Sequence, residues 1–455
     1  MLPEKFLERM KRLLGGEYEA FADALEKENV KGIRVNETKI PIEDFLDATE
    51  LTLSEIGYNP CGFIPSSAEG IGNTPEHHAG MFYVQDPGAM ATVCSLDVKR
   101  GWRVLDSCSA PGGKASQLSS LIGDEGLLIA NEYVAKRAKI IVSNFERLGI
   151  KNAMVLSYDT SILKQMFANY FDLVLCDAPC SGEGMFRKYD EALSEWSVEN
   201  VIASAKRQRE ILENLAPLVR DGGYLLYSTC TYSTEENEEN VSAFLSSHPD
   251  YKLVPVREEV HRVTASGICV SGLSEEDARM CRRFYPHLSP GEGQFIALMQ
   301  RATDGDAKIL YKDESQPLSR MEERIVQDFL KENFKTVPEG RLIKQGDFVT
   351  LVPHGAPLPR YSVFMAGVMV GEIRKGRFEP HHQLFSAYGR DFKNKENLKR
   401  GDGRAFAYLK GEEIEAKESS QGFCTVLYQG VPIGGGKTSG GRIKNHYPKG
   451  LRIKG

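Results

Sequence analysis

Short apolar runs alternate with helical patterns between Trp102 and about Asp250, and this alternation restricts the fold more than any other feature of the chain. Strands that alternate with helices form βαβ units, in which helices cover both faces of a parallel sheet. The apolar runs of this pattern lie at residues 103–105, 127–130, 153–156, 173–176 and 224–227. Two further runs, 252–256 and 294–300, lack a strong helical pattern between them and predict an antiparallel hairpin at the sheet edge. We therefore predict an α/β fold with a seven-stranded, mostly parallel sheet.

The segment before this sheet predicts a small N-terminal domain, residues 1–93. Apolar residues recur every three to four positions over residues 4–27, and the pattern breaks at Gly15 and Gly16. Such a break is typical of two helices joined by a short turn. The sheet then occupies a core domain, residues 94–301.

The segment after the sheet predicts two smaller domains. Residues 302–317 are polar, aperiodic and contain Pro, which indicates a linker. A helical pattern begins at Ser319, and runs rich in β-branched and aromatic residues follow at 348–352, 361–370 and 424–431. We predict a small α+β domain over residues 318–384 and a β-rich domain over residues 385–455.

The composition excludes several classes of protein. No apolar run approaches the ~18 residues that would cross a bilayer, so we expect no membrane span. The chain starts with MLPEKFLERMKRLL, which lacks an apolar signal region and a cleavage site, so we expect a cytoplasmic location. The nine cysteines, an odd number scattered over 455 residues, indicate free thiols in a reducing compartment.

The charge of the chain is unevenly placed. The formal net charge is −6, yet the last 25 residues contain six Lys or Arg and no acid. A basic, Gly-rich segment of this kind favours contacts with the phosphates of a nucleic acid. A solvated basic tail without a partner is the alternative.

The strongest local motif is VLDSCSAPGGKASQLSSL at residues 104–121, which reads as a strand, an acid, a Pro-Gly-Gly turn and a helix. In doubly wound sheets, ligands bind beyond the carboxyl ends of the strands, and glycines there let the backbone approach a nucleotide. The motif matches neither the dinucleotide fingerprint G-x-G-x-x-G nor the phosphate loop G-x-x-x-x-G-K-[ST]. A Gly-rich connection without a ligand remains the alternative.

Acids follow the ends of four successive predicted strands: Asp106, Glu132, Asp159 and Asp177. A single acid there would be an ordinary surface residue, but four of them form one rim. A carboxylate at Glu132 can accept both hydroxyls of a ribose. The rim suits a cofactor with ribose hydroxyls, an exocyclic amine and a cationic amino acid end, which favours S-adenosylmethionine over a polyphosphate nucleotide.

Two cysteines, Cys180 in DAPCSGEGMFRK and Cys230 in YSTCTYSTEENEENV, follow the fourth and fifth predicted strands. Both lie in loops that border the predicted cofactor rim, whereas most cysteines of a chain are inert and buried. Zinc is a poor alternative, because Cys176 lies inside a strand and no second Cys/His pair has finger spacing. We therefore expect no metal ion.

A thiol beside a methyl donor has a specific chemical use. Carbon 5 of cytosine is a poor nucleophile, but addition of a thiolate to carbon 6 turns the ring into an enamine whose carbon 5 can attack a methyl group. We expect Cys230 to supply the thiolate and Asp177 to hydrogen-bond ring nitrogen 3. Cys180 lies where it can assist the expulsion of the thiolate.

These segments resemble the Nop/Sun family of RNA cytosine-5 methyltransferases over roughly residues 30–300. The motifs CSAPGGK, DAPCSG and STCT resemble the cofactor loop and the two cysteine motifs of that family, and IRVN and QDPGAM resemble its upstream motifs. The resemblance implies a class I, Rossmann-like methyltransferase fold that uses S-adenosylmethionine. It also implies that Cys230 is the nucleophile and that Cys180 helps to release the product.

The cofactor-binding residues implied by the resemblance are Cys108, Ser109, Ala110, Pro111, Gly112, Gly113, Lys114, Glu132, Asp159 and Asp177. Ser109 is a departure, because the family more often has Ala at that position. The segment after residue 302 is similar to the tail of the RsmF-type bacterial members, which methylate decoding-region cytosines of small-subunit (16S) ribosomal RNA. Residues 385–455 would then be a PUA-like RNA-binding module.

Two other classes of function remain open at the level of sequence. A small-molecule or protein methyltransferase would explain the acidic rim but neither the two cysteines nor the basic tail. A non-catalytic RNA-binding protein or ribosome assembly factor would explain the tail but not the acids and cysteines of the core.

Overall fold

The structure is a computed structural model that describes residues 2–453. The outer ends of the first and last predicted domains, residues 1 and 454–455, lie outside the described residues. Within residues 2–453, no helix is long and apolar enough to cross a membrane.

The N-terminal segment begins with two helices and contains a four-stranded sheet in the order β2-β3-β1-β4. The predicted helix pair is confirmed, and the chain turns at Gly15, where φ is +52°. The two upstream motifs lie at this sheet. The motif IRVN begins in β1, and the motif QDPGAM joins β4 to α5. The elements are α1 (Glu4–Leu14), α2 (Tyr18–Leu25), β1 (Gly32–Val35), α3 (Ile42–Ala48), β2 (Leu53–Ile56), β3 (Asn59–Pro65), α4 (Pro75–His78), β4 (Phe82–Gln85) and α5 (Pro87–Cys94).

The central segment carries the alternation of strands and helices that the sequence predicts. The strands β6 and β7 are continuously buried, as are β5 after its first residue and β9 before its last, as expected where helices cover both faces. The elements are β5 (Arg103–Asp106), α6 (Gly113–Ile122), β6 (Leu127–Asn131), α7 (Ala135–Leu148), β7 (Ala153–Leu156), α8 (Thr160–Met166), β8 (Phe167–Ala168), β9 (Phe171–Asp177), α9 (Asp190–Glu195), α10 (Val198–Leu215), β10 (Val219–Thr229), α11 (Glu238–Ser247), β11 (Tyr251–Leu253), α12 (Glu258–His261), β12 (Ala265–Ser266), α13 (Glu275–Met280), β13 (Arg282–Phe284) and β14 (Gln294–Arg301).

The C-terminal segment contains two five-stranded sheets. The helix predicted from Ser319 is confirmed, and Ser319 caps it together with Glu322. The elements are β15 (Lys308–Ile309), β16 (Gln316–Pro317), α14 (Arg320–Asn333), β17 (Arg341–Gln345), β18 (Phe348–Val352), β19 (Val363–Ala366), β20 (Val368–Arg374), β21 (Arg377–Pro380), α15 (His382–Tyr388), β22 (Lys395–Leu398), α16 (Arg404–Lys410), β23 (Ile414–Glu415), β24 (Gly422–Tyr428), β25 (Val431–Ser439) and β26 (Arg442–Asn445). The sheets have the orders β16-β17-β18-β20-β21 and β22-β24-β25-β26-β23.

The central sheet contains ten strands instead of the predicted seven. Nine follow one another in the order β12-β13-β14-β10-β9-β5-β6-β7-β19, and β11 pairs with β14. Five neighbouring strands of this order, β10, β9, β5, β6 and β7, are mutually parallel. Strand β14 is antiparallel to both β10 and β11. The three additional strands are the short β12 and β13 and the strand β19, which comes from the predicted 318–384 domain and pairs antiparallel with β7.

The predicted linker, residues 302–317, is not entirely irregular. Its short strands β15 and β16 pair with β8 of the core and with β17, respectively. The predicted run 361–370 is interrupted at Gly367, where φ is +87°, so it forms the two strands β19 and β20. The bounds of the predicted domains stay a prediction.

The N-terminal and C-terminal segments are joined by a buried lysine. Lys39 donates hydrogen bonds to the carbonyl oxygens of Ser386 (2.6 Å) and Pro432 (3.1 Å), which lie in α15 and β25. Burial lowers the pKa of Lys39 well below its usual value. Because the hydrogen bonds of its ammonium group cross between segments, Lys39 helps to fix their relative position.

Candidate active site

The β5–α6 loop, residues 107–112, joins the first parallel strand of the chain to its helix. The amide of Ser109 donates to the carbonyl of Asn131 (2.8 Å), and Asn131 Nδ2 donates to the carbonyls of Ser107 (3.1 Å) and Tyr158 (3.0 Å). Gly112 has a φ of +103°, which a residue with a side chain rarely adopts. Asn131 thus ties together the loops that follow β5, β6 and β7.

The upstream motifs hold the start of α6. Arg34 of IRVN donates to Gln85 of β4 (Nε to Oε1, 3.0 Å), to Ser116 Oγ (2.7 Å) and to the carbonyl of Gly113 (3.3 Å). Burial lowers the pKa of Arg34 to about 10. These motifs therefore position the β5–α6 loop from the side of the N-terminal sheet.

Two polar atoms of this loop region are buried without a hydrogen-bond partner: Oδ1 of Asp106 and Oγ of Ser109. Burial, reinforced by the nearby charge of Asp177, raises the pKa of Asp106 to about 7 and outweighs the opposing effects of the adjacent Ser109 hydroxyl, Lys114 and the Cys108 amide. Buried polar groups normally have partners, so these atoms fit a ligand that can supply them. A cationic amino acid end, as in S-adenosylmethionine, fits Asp106 on this ground.

Lys114, in the first turn of α6, binds Asp177 at the end of β9. Its Nζ lies 2.9 Å from Oδ2 of Asp177. Burial lowers the pKa of Lys114, but the charge and hydrogen bond of Asp177, together with nearby Cys230 and Asp106, outweigh burial, and the pKa lies above its usual value. The Oδ1 atom of Asp177 accepts from Ser228 Oγ (2.9 Å), and Ser228 in turn accepts from Gln294 Nε2.

Glu132 and Asp159 lie at the same edge but in different surroundings. Glu132 is buried; its Oε1 accepts from the amide of Val134 (2.9 Å), and its Oε2 lies 3.2 Å from Arg137 Nη1. Asp159 is exposed, and its Oδ1 accepts from the amide (2.9 Å) and Oγ (2.6 Å) of Ser161, so it caps α8. Both remain predicted cofactor ligands.

The remaining predicted cofactor residues lie along the β5–α6 loop. The carbonyls of Ala110 and Pro111 accept from Arg137 Nη2 (3.3 Å) and Asn144 Nδ2 (2.9 Å) of α7. Burial raises the pKa of Cys108 to about 12, so its thiol is neutral at physiological pH. The loop is therefore fixed on both sides before any ligand binds.

The two predicted catalytic cysteines lie together. The Sγ atoms of Cys180 and Cys230 are 3.0 Å apart, and both thiols are free. The hydrogen bond to Cys230, together with burial, raises the pKa of Cys180 well above its usual value. Cys180 is therefore a thiol that can donate to the Cys230 sulfur, and Lys114 is close enough to interact electrostatically with Cys230.

Two buried carboxylates that the sequence did not reveal hold the cysteine loops, which are residues 178–189 after β9 and residues 230–237 after β10. Glu183 of the first loop accepts hydrogen bonds from the second loop: from Thr231 Oγ1 (2.8 Å), the amide of Tyr232 (2.9 Å) and Ser233 Oγ (2.8 Å). It also accepts from Trp196 Nε1 (3.0 Å).

Glu236 of the second loop makes the reciprocal contact. It accepts from the amide (3.0 Å) and Oγ (2.5 Å) of Ser181, the residue after Cys180, and from Gln208 Nε2 (2.7 Å). Burial raises the pKa of Glu236 to about 7. Each loop thus carries the acid that fixes the other, and we call Glu183 and Glu236 together the cross-brace.

The N-terminal helices cover this cross-brace. Phe6 of α1 and Phe21 of α2 pack edge-on against Phe186 and Tyr232, with ring centroids 5.0 and 5.1 Å apart. Arg9 of α1 also forms an ion pair (2.6 Å) with Glu235 of the second cysteine loop. The N-terminal segment therefore forms one wall of the site.

No group of three or more His, Cys, Asp or Glu within residues 2–453 is arranged to hold a metal ion. The parallel sheet, the acidic rim and the paired cysteines at its carboxyl edge define a Rossmann-like methyltransferase.

Comparison with known proteins identifies the family. The model for "16S rRNA methyltransferase RsmB/F" matches residues 93–300, and the models for the RsmF N-terminal domain, first C-terminal domain and PUA domain match residues 2–87, 328–387 and 395–453. The ribosomal RNA small subunit methyltransferases F of Vibrio campbellii and Aeromonas salmonicida are 30% and 29% identical, over 99% of this chain and 97% of their own. The chain belongs to the RsmF family of 16S rRNA methyltransferases.

Solved structures agree with the fold. A methyltransferase homolog from Pyrococcus horikoshii is 28% identical and has a TM-score of 0.56, over 66% of this chain and 95% of its own. NSun6 from the same organism, at 22% identity and a TM-score of 0.56, shares the fold over 66% of this chain and 99% of its own.

Proposed function

We propose that this protein methylates carbon 5 of cytosines in the decoding region of 16S ribosomal RNA. The carrying observation is the pair of sulfurs, 3.0 Å apart, at the ends of two adjacent parallel strands beside the acidic rim. A protein methyltransferase or a small-molecule methyltransferase would leave this pair of thiols unexplained. Action on ribosomal RNA also supports a cytoplasmic location.

The residues of the rim would hold S-adenosylmethionine, which supplies the methyl group when bound. Glu132 would accept the ribose hydroxyls, Asp159 the exocyclic amine and Asp106 the cationic amino acid end. The β5–α6 loop with Gly113 and Lys114 would lie against the cofactor. The partnerless atoms of Asp106 and Ser109 support this assignment.

The cysteines would act in sequence on the target base. The Cys230 thiolate adds to carbon 6, so an S–C bond forms and carbon 5 becomes nucleophilic enough to take the methyl group. Asp177 hydrogen-bonds ring nitrogen 3. After transfer, the carbon 5 proton passes to water, the carbon 5–carbon 6 double bond re-forms, and the S–C bond breaks as the thiolate leaves. Cys180, held as a thiol beside Cys230, assists this step by donating a hydrogen bond to the leaving sulfur.

The test compares two matched variants, Cys230→Ala and Cys180→Ala, incubated with labelled S-adenosylmethionine and naked RNA, small subunits or a protein extract. We expect Cys230→Ala to bind cofactor but transfer no methyl group. We expect Cys180→Ala to accumulate a protein–RNA adduct that survives denaturing electrophoresis, because elimination is slowed.

Three outcomes would contradict the proposal. A stable adduct in Cys230→Ala would exchange the roles, and full turnover in that variant would exclude Cys230 as the nucleophile. Labelling of the protein extract but not of RNA by the wild-type protein would identify a protein methyltransferase. Without any transfer, the chain would be a non-catalytic RNA-binding protein.

A further inference from the structure

A wide cleft of about 870 Å³ lies between the hairpin β20–β21 and the C-terminal sheet, far along the chain from the cysteines. Its two sides come from different segments. The hairpin and the start of α15 form one side, and the residues after β26 form the other. The lining residues are Arg374, Lys375, Arg377, Glu379, Pro380, His381, His382, His446 and Pro448.

The charge of this cleft is positive. Arg374, Lys375 and Arg377 are exposed, and Glu379 is the one acid among the lining residues. Arg374 is partly neutralised by Glu372, 2.6 Å away on the same strand. Burial lowers the pKa of His381 to about 4 and that of His382 to about 3, so these histidines are neutral at physiological pH. The positive charge therefore comes from the hairpin tip.

The hairpin tip breaks a local rule of β-structure. Arg374 and Arg377 are directly opposite each other, and Lys375 lies between them in the turn. Like charges directly opposite each other destabilise a pair of strands. Two positions further from the turn, Glu372 and Glu379 are also directly opposite each other. Of these two carboxylates, only Glu372 forms an ion pair with Arg374. Unfavourable pairs of like charges of this kind are expected where residues bind a ligand instead of stabilising the fold.

Beside His446, which lines the other side of the cleft, the surface of the C-terminal sheet carries further cations and aromatic rings. Lys437 of β25 lies over the ring of Phe423, 5.0 Å from its centroid, and the ring of His446 is 6.1 Å from the same ring. Lys444 of β26 is exposed beside His446. Cations interleaved with aromatic rings on one face suit a nucleic acid, whose phosphates are neutralised by cations and whose bases stack on rings.

We propose that this cleft binds phosphates of the RNA substrate, which the β20–β21 hairpin and the PUA-like domain hold between them. The inference rests on the proposed function, because it takes RNA as the substrate. It goes further in assigning the contact jointly to the hairpin and the C-terminal sheet. Lys39 hydrogen-bonds both α15, which follows the hairpin, and β25 of that sheet. Removal of either side would leave only part of the contact.

The first test uses the conformation of the turn. Lys375 and Gly376 both have positive φ, +49° and +76°, as a two-residue type I′ turn requires. Asn at the first position of such a turn is preferred, so Lys375→Asn removes one charge and keeps the turn. We expect an unchanged or higher melting temperature together with weaker RNA binding. A loss of RNA affinity therefore cannot be attributed to unfolding.

The second test removes all three charges of the tip with Arg374→Gln, Lys375→Asn and Arg377→Gln. With a 16S ribosomal RNA fragment, we expect the slope of log affinity against log salt to fall by about 2, because each lost phosphate contact lowers it by about 0.7–0.9. The matched control removes three exposed cations of the core with Lys252→Gln, Arg262→Gln and Arg279→Gln, and its slope should change less.

The outcomes separate this inference from the proposed function. If the wild-type protein methylates RNA and the tip variant binds it with an unchanged salt slope, the cleft inference is wrong and the proposed function stands. An equal loss of slope in the control variant would also overturn the inference, because it would indicate a general charge effect. If the wild-type protein methylates no RNA, the proposed function fails whatever the cleft binds.

Discussion

The β5–α6 loop and the two cysteine loops lie at the same edge of the sheet, but their polar groups are satisfied differently. In the β5–α6 region, Asp106 and Ser109 each keep a buried atom without a partner. In the cysteine loops, Glu183 accepts four hydrogen bonds and Glu236 accepts three. The β5–α6 region therefore retains polar groups for a ligand, whereas the two carboxylates of the cross-brace are satisfied within the protein. The partnerless atom of the cysteine loops is the hydroxyl of Tyr232, whose ring packs against Phe21 and Tyr285.

The difference shows what each region must do. A cofactor with several polar groups can complete the hydrogen bonds of the loop that binds it. A nucleophile and its assisting thiol gain most when their positions are fixed before the substrate arrives, because a displacement of ~1 Å can cost ~100-fold in rate. The cross-brace supplies this fixation, and its removal should affect the chemistry more than cofactor binding.

The largest expected effect is therefore that of Glu183→Ala. The change leaves four buried donors without their acceptor, so we expect a loss of about 3 kcal/mol or more in the free energy of unfolding. We also expect methyl transfer to fall about 100-fold or more through displacement of Cys230. Denaturant unfolding, single-turnover methylation and calorimetry with S-adenosylmethionine measure these effects.

Glu183→Gln serves as the matched variant, because its amide keeps one acceptor oxygen. Its loss of stability and of rate should lie between those of the wild type and Glu183→Ala, and cofactor affinity should stay within about twofold in both. If methylation were undiminished in folded Glu183→Ala, the cysteine positions would not depend on the cross-brace.

In contrast to the Glu183 variants, Glu132→Ala should weaken cofactor binding. Loss of charge-assisted hydrogen bonds to a ribose costs about 1.5–3 kcal/mol, so cofactor affinity should fall about 10- to 150-fold in calorimetry. Arg137→Gln removes the 3.2 Å ion pair but leaves the carboxylate, so it controls for an indirect effect. An affinity unchanged in Glu132→Ala would exclude the residue from the cofactor site.

The elements that the sequence predicted well are those whose pattern is local. The runs that became β6, β7 and β9 are continuously apolar because helices cover both faces of these strands, so each run can be recognised from its own residues. The strand β19 joins β7 only through tertiary pairing, and nothing in its own pattern indicates this partner. Its membership of the central sheet could not be read from periodicity.

In the candidate site, too, some residues could be predicted from local sequence and others depend on tertiary contacts. Cys180, Cys230 and the acids at strand ends could be predicted because the carboxyl edge of a parallel sheet is a known ligand position. Glu236 lies in the run STEENEEN, whose many acids resemble a solvated surface. Its burial depends on Ser181 and Gln208, which are 55 and 28 residues away, so no local pattern could reveal it.

The smallest expected effects concern two carboxyl groups that both have a pKa raised by burial to about 7: Asp106 in the first region and Glu236 in the cross-brace. Between pH 4 and 7, the folded protein holds protons on these groups that the unfolded chain releases. The free energy of unfolding therefore falls as pH rises through this range. Asp106→Asn and Glu236→Gln should each flatten this dependence in unfolding measured from pH 4 to 8.

Cofactor binding should distinguish the two carboxyl groups. A cationic amino acid end beside Asp106 favours its ionised form, so binding at pH 7 should release up to about half a proton from a group whose pKa is about 7. Calorimetry in buffers of different ionisation enthalpy measures this release as the difference between the wild type and Asp106→Asn. Glu236→Gln should retain it, because Glu236 contacts Ser181 and Gln208 in the cross-brace. Equal release in the wild type and Asp106→Asn would mean that Asp106 does not meet the cofactor's charge, and the contrast between the two regions would lose its basis.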